Sequence, residues 1–425
     1  MADEDQKKPQ AGAGILAGEL AGQVLGPGLV VLPGQGNSLA IETDAGVVIL
    51  DASTARHNDA MISTLREHTD APVHAIVYSH GHHGYNAAVD AWQQHNAERG
   101  DAPPRLVAHE NVLRRYARYR DTEGLQLRMA VMQFPSPTPI PLDVLARGLP
   151  LHDPTETFTD TMTLVDGSRR VELLWAPSEV DDALAVWLPD DGLLCGGAAT
   201  PGLTIPNIGT PLRTQRFTIR WAETLERLAA LGPARLLTEF GPLVEGDAIQ
   251  EFLLDTADTL RWLRAEVVAR MNAGMGEREV LADMEYPADR FEHPWMQATY
   301  GAPEYIVRDL FREENGWWDR NPTTLHPASP DAAAAAVRSA ISDSGAVLER
   351  ARELADAGDT QLALHVSDLL ALDAGEDPDV VEARALKAEL CRSRAGEVEP
   401  FVSKSCYQSS ALLLGDGHTS WTNLG

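Results

Sequence analysis

Cysteine is scarce in this sequence, with three among 425 residues. Cys195, Cys391 and Cys406 stand far apart and form neither a CxxC pair nor a zinc-ribbon spacing. That excludes a disulfide scaffold and a cysteine metal site, and makes a reducing cytoplasm the expected setting. Basic residues are also few, 35 Lys and Arg against 63 Asp and Glu, for a net charge of −28. Such a chain lacks the cationic face that a phosphate backbone or an anionic membrane surface requires, so no nucleic-acid or membrane partner is expected. Long apolar runs are missing too. The stretch from Gly12 to Val31 is broken by Glu19 and several glycines, whereas a span needs about 20 mostly uncharged apolar residues. The opening MADEDQKKPQ is polar and does not read as the start of a signal peptide. What remains is ordinary globular composition, 44% hydrophobic and 23% charged. The length exceeds one core and predicts two domains, or three.

Short β-rich runs alternate with turn residues from Gly26 to Asp51. A helical period follows over Asn58 to Thr69, with Met61, Ile62 and Leu65 on one face, and then the apolar strand Val73 to Tyr78. Strand, helix, strand predicts a layered α/β domain. Further strands are expected at Arg105–Ala108, Met162–Val165, Val171–Trp175, Leu184–Leu188, Leu193–Cys195 and Leu236–Thr238. A long amphipathic helix is expected over Arg216 to Leu231, and a proline-marked loop over residues 135–155. After about Gly246 the pattern turns helical, and it is alanine-rich from Pro330 to Ala395. There Leu348, Ala351, Leu354 and Ala355 share one face, and Leu362, Val366, Leu369 and Leu370 another. Residues 357–359 make a tight connection between the two helices. The segment Tyr300 to Pro327 holds Tyr305, Phe311, Trp317 and Trp318, aromatics that call for burial or a partner.

Chemistry concentrates in Ser79-His80-Gly81-His82-His83-Gly84-Tyr85-Asn86. The segment follows a buried strand, and ligand sites of open α/β layers lie at the carboxyl ends of strands. Histidines two apart on an extended loop, as His80 and His82 are, can turn a ring nitrogen each toward one ion. A polar loop with hydrogen-bonded histidines is the alternative.

The order of these elements around Ser-His-x-His resembles the metallo-β-lactamase superfamily, and within it the alkyl sulfatase branch. The loop Tyr78 to Tyr85 stands where that family has Thr/Ser-His-x-His-x-Asp-His. Ala108-His109-Glu110-Asn111 with Arg115, Tyr116, Arg118 and Tyr119 is similar to the branch's next segment. Gly316-Trp317-Trp318-Asp319-Arg320-Asn321-Pro322 with Leu325-His326-Pro327 resembles the signature opening its dimerisation domain. The resemblance implies an αββα sandwich over residues 15–250, after a disordered tail at 1–14. An all-α dimerisation domain over 251–425 then makes a homodimer.

The family holds two metal ions, and here the resemblance is uneven. His80 and His82 match the first site, and Glu179 stands where its carboxylate belongs. Gly84 and Tyr85 replace the Asp and His of the second site. Residues 194–198 hold no bridging acid, and Phe240 stands in place of the late histidine. The implied enzyme has one divalent metal on His80, His82 and Glu179, with zinc preferred and iron or manganese as alternatives. Two imidazoles and one carboxylate leave open positions on a zinc ion, and also form the arrangement used by oxygen-activating iron enzymes. The leading expectation is a metallo-hydrolase-like enzyme acting on a small organic substrate with a polar or anionic head. A mononuclear non-haem iron oxygenase and a non-catalytic dimeric binding protein are the alternatives. Tyr85 faces the vacated position, where it either fills space or passes a proton with its pKa lowered by a nearby cation. His83 is read as supporting or exposed, Glu239 as a substitute-ligand candidate, and Asp51 as the acceptor of a ligand histidine's second ring hydrogen. Cys195 is expected to be a buried thiol. The Arg114–Arg120 cluster and the loop Thr204 to Pro211, with Asn207, are expected to border the substrate.

Overall fold

A computed structural model describes residues 16–136 and 140–424. The tail expected at residues 1–14 lies outside the described residues. The chain divides into two compact units, the first running to Glu123 and resuming over Asp143–Glu314, the second comprising Gly124–Leu142 and the chain from Asn315. The sequence division at residue 250 follows composition, whereas these units follow packing.

The first unit contains two sheets. One has seven strands in sequence order: β1 Val24–Gly26, β2 Leu29–Gly34, β3 Gly36–Thr43, β4 Gly46–Leu50, β5 Val73–Val77, β6 Arg105–His109 and β7 Glu156–Phe158. The other comprises β8 Thr161–Val165, β9 Val171–Trp175, β10 Leu184–Leu188, β11 Leu193–Gly197, β12 Arg235–Thr238 and β13 Leu243–Glu245, ordered β13-β12-β11-β10-β9-β8.

Side chains alternate across a strand, and here both faces are apolar. Val31, Leu39, Ile41, Val48 and Leu50 point inward to meet Leu173, Leu184, Val186, Leu193, Cys195 and Leu237 of the second sheet. Their neighbours Val30, Leu32, Val47 and Ile49 point outward onto Met61 and Leu65 of the helix Asn58–His68 and Val89 and Trp92 of the helix Val89–Arg99. The second sheet repeats the device, sending Ala185, Leu194 and Leu236 outward onto Trp221 and Leu225 of the helix Thr218–Ala229. Leu260 and Leu263 of the helix Thr256–Asn272 join that outer layer. The result is the αββα layering expected from the sequence. Each fully buried Leu, Ile or Val contributes roughly 1.5–3 kcal/mol of transfer free energy.

Strands β4, β5 and β6 run parallel, as do β11 and β12. Their exits form the rim on which the site is built. Hydrogen bonds tie the rims of the sheets together. The Leu184 N–H donates to the Ser79 carbonyl at 2.8 Å. The Asn37 amide of β3 donates to the carbonyls of Thr238 and Gly241 at 2.9 and 2.8 Å.

The second unit is helical, with Pro330–Ser339, Ser344–Asp356, Thr360–Ala371, Pro378–Glu397 and Phe401–Gly415. Leu348, Ala351 and Leu354 are buried as expected, and Gly358 takes the left-handed conformation (φ +88°) that ends the helix before it. The face assigned to the next helix is corrected. Its buried stripe is Ala363, Leu364, Ser367, Leu370 and Ala371, while Leu362 and Leu369 are exposed. Both stripes satisfy a helical period, and packing selects the one carrying the small residues. Tyr305 and Phe311 are buried, whereas Trp317 is 69% exposed in the single chain. A short helix, Leu142–Arg147, interrupts the loop expected over 135–155.

Candidate metal centre

The histidine loop is fixed from beneath by Asp51, the residue after β4. Asp51 Oδ1 accepts the Ser79 N–H at 2.8 Å and the Asn86 amide at 3.0 Å, and Asn86 returns its oxygen to the Ala52 N–H at 2.9 Å. Both ends of the loop are thereby pinned to one buried carboxylate. Burial pushes the Asp51 carboxyl up to about 6 although Ser79 and Asn86 hold it down. The expected bond from Asp51 to a histidine ring is not the arrangement found, because the loop's own N–H and amide groups take the oxygen. Ser79 Oγ is instead 2.9 Å from His80 Nδ1, which leaves His80 Nε2 to face His82 Nδ1 at 3.0 Å. Between them Gly81 passes against the buried Arg115–Asp182 ion pair. A Cβ on it would lie 2.9 Å from Arg115 Cδ and from Asp182 Oδ2.

Glu179 follows β9 and brings its carboxylate to the same point. One ligand atom from each of His80, His82 and Glu179 lies within 4.8 Å of the other two. The residues fit a divalent ion on chemistry as well as position. Burial, then Arg115 and Arg216, pushes His80 down to about 3. Burial, then His80 and the arginines, pushes His82 well below its ordinary value. Both rings are neutral at pH 7, the form that binds metals. Glu179 Oε1 accepts the Asn207 amide at 2.7 Å and pairs with Arg216 Nη2 at 2.9 Å. Asn207, expected to bond a ligand, thus bonds Glu179.

The other half of the pocket is built differently. The Tyr85 hydroxyl donates to Glu239 Oε1, and its ring centroid lies 4.1 Å from that of His80. Burial, then Glu239, pushes the phenol well above its ordinary value. Burial, then Glu179, raises Glu239 to about 8. Gly84 adopts φ +91°, and a Cβ there would meet Gln35 Oε1 at 2.9 Å and Thr54 Cγ2 at 3.3 Å. Beneath this half a small cavity of about 20 Å³ is lined by Asp51, Tyr85, Cys195 and Glu239 among others, and Cys195 is a buried thiol as expected. Neither Glu239, Asp51 nor His83 joins the three-ligand group. His83 stacks on Tyr119 with centroids 4.2 Å apart.

The Arg/Tyr cluster divides. Arg115 is buried on Asp182, Arg118 lies 4.9 Å over the Tyr119 ring, and the Arg114 and Arg120 side chains face solvent. Three residues that the sequence did not single out for the site also lie near it. Arg216 is buried on Glu179. Arg213 lies near enough to depress His82 and His83 electrostatically. The Tyr300 phenol is pushed up to about 12 by burial, against the pull of Arg213 and Arg216. Only the loop carrying Asn207 pointed toward the two arginines.

Residues 31–240 match the metallo-beta-lactamase superfamily, and residues 276–417 match the alkyl sulfatase dimerisation family. The chain carries a metallo-beta-lactamase domain. Its second part is an alkyl sulfatase dimerisation region. A linear primary-alkylsulfatase of a Pseudomonas species is 26% identical over 344 residues, covering 77% of this chain and 65% of that protein. An (R)-specific secondary-alkylsulfatase of a Pseudomonas species is 25% identical over 415 residues, covering 92% of this chain and 61% of the relative. The solved structure of a stereoselective inverting sec-alkylsulfatase, Pisa1, from Pseudomonas sp. superposes with a TM-score of 0.78 at 22% identity. It covers 93% of this chain and 66% of that one. The chain therefore spans just under two thirds of the length of these relatives, and at that identity the structure shows a shared fold.

Proposed function

We propose that the chain is a metal-dependent hydrolase of organic sulfate esters that works with one divalent ion, zinc by preference, in each subunit of a homodimer. The observation that carries this reading is the convergence of His80, His82 and Glu179 within 4.8 Å, beside a vacated half filled by Tyr85 and Glu239. A divalent ion held there supplies Lewis-acid polarisation of a substrate oxygen. The protein's own groups do the rest. Ser79 sets the His80 ring so that Nε2 faces the shared point. Tyr85 is neutral at working pH and holds its proton on Oη against Glu239, the position from which a departing oxygen can be protonated. Arg213, close enough to lower His82 and His83 electrostatically, supplies positive potential beside the site for an anionic head. Leu362, Leu369, Leu372 and Val381 leave apolar surface on the second unit's helices, which supports burial against a second copy. No described helix is long and apolar enough to cross a membrane. The cysteine pattern supports a cytoplasmic location.

The test is metal analysis joined to assay. Protein purified without chelator should carry about one equivalent of metal per chain and release inorganic sulfate from an alkyl sulfate, with or without dioxygen. Chelation should stop the release and zinc should restore it. Two equivalents per chain, or activity that survives metal removal, overturns the proposal.

A further inference from the structure

Glu179 presents its two carboxylate oxygens to unlike surroundings. On Oε1 converge the Asn207 amide at 2.7 Å and the Arg216 guanidinium at 2.9 Å. Arg216 has no freedom to leave. Its side chain is 4% exposed, its second guanidinium nitrogen donates to the Asn207 carbonyl, and its own N–H donates to Asp309 Oδ2 at 2.9 Å. Thr210 in turn donates to the Asn207 side-chain oxygen. Asn207, Thr210 and Arg216 thus form one braced loop, in which Asn207 and Arg216 reach the same carboxylate oxygen and Thr210 holds the Asn207 amide.

We infer that Arg216 and Asn207 are positioning residues for the metal, which occupy Glu179 Oε1 and hold Oε2 as the one carboxylate oxygen available to the ion. This rests on the single-metal reading above. With Oε1 engaged by two donors, Oε2 is the oxygen left to an ion, which would favour ligation through that single oxygen. The charge sum changes as well. Two neutral imidazoles and a carboxylate alone would reduce the charge of a divalent ion by one unit. With the guanidinium against that carboxylate the local charge stays near two, which favours a substrate with an anionic head. A buried arginine keeps its charge, because its guanidinium is not deprotonated in proteins.

The experiment measures metal affinity and ligand geometry apart from activity. Wild type, Arg216→Met, Arg216→Lys and Asn207→Ala are loaded with cobalt(II). Affinity is read by competition with a chromophoric chelator, and the visible spectrum reports coordination. Arg216→Met should bind about 10- to 100-fold more weakly, the usual loss when a ligand's outer partner is removed, with shifted absorption bands. Arg216→Lys should recover most of the affinity. Asn207→Ala keeps the cation, should lose several-fold, and serves as a second measurement where Arg216→Met folds poorly. Cobalt affinity and spectrum unchanged in both Arg216→Met and Asn207→Ala would overturn the inference and leave the single-metal reading intact. Wild type that takes up no metal would overturn both.

Discussion

The two halves of the pocket are separated by the width of one tyrosine ring, yet they follow opposite physical rules. On one side stand His80, His82 and Glu179, neutral bases and a carboxylate turned toward a common point. On the other stand Tyr85 and Glu239, a donor and an acceptor satisfied by each other. The first half gathers ligand atoms suited to a cation, and the second is closed by its own hydrogen bond. In the single-ion proposal, Tyr85, Glu239 and the turn at Gly84 take the place of a second ion's ligands.

The sharpest way to break this contrast is to remove a ligand from the first half. His80→Ala should lose roughly a thousand-fold in metal affinity, since one ligand in three carries about 4 kcal/mol of a binding free energy of order 10–16 kcal/mol. Elemental analysis reads it directly. Tyr85→Phe attacks the second half. It should leave about one metal per chain and lower turnover by about 100-fold, the usual scale for a lost proton donor. Loss of the metal in this variant would show that the halves are not independent.

How far this contrast could be read beforehand depends on the residue. Val47 to Leu50 and Val73 to Tyr78 announce buried strands by composition, and the αββα order follows from them. His80, His82 and Glu179 were marked by a family resemblance that also marked the gaps at Gly84 and Tyr85. Arg216 and Tyr300 carried no such mark. Both reach the pocket from segments distant in sequence from the histidines, and an arginine at the start of an amphipathic helix reads as surface until its partner, here Glu179, is located. Leu362 and Leu369 misled for a related reason. A helical period identifies a stripe but not which of two stripes meets a neighbour.

A smaller effect is expected from an attempt to rebuild the second half. Gly84→Asp with Tyr85→His restores the family's residue types, but φ +91° and the contact with Gln35 stand against a side chain. The double variant should hold no second metal and should lose about 1–2 kcal/mol of stability from the left-handed backbone alone. A second equivalent of metal in this protein would refute the account of Gly84.

The smallest expected effect is in pH dependence, measured by thermal melts in chelator. Folding depresses the imidazoles from 6.5, His80 to about 3. Their stability contribution is present above about 6.5 and is lost as pH falls toward 3, by at most about 1.4 kcal/mol per pH unit for each proton. Folding raises Asp51 from 3.8 to about 6 and Glu239 from 4.5 to about 8. Their contribution is present at low pH and is lost as pH rises through those values. Replacing both His80 and His82 by Gln should therefore leave a protein that loses less stability than wild type between pH 6.5 and 5. Glu239→Gln should instead lose stability more steeply than wild type below pH 6.5. Parallel profiles for the two variants would erase the distinction between the halves.

The histidine loop belongs to one sheet and Glu179 to the other. A cation held by both would act as a rivet across the rim of the sandwich. Its grip resists the parting of the two layers, so occupancy adds to global stability in proportion to the logarithm of metal concentration over its dissociation constant. A simple melting curve, recorded across a titration of candidate ions, becomes a gauge of which ion the protein prefers before any substrate is known.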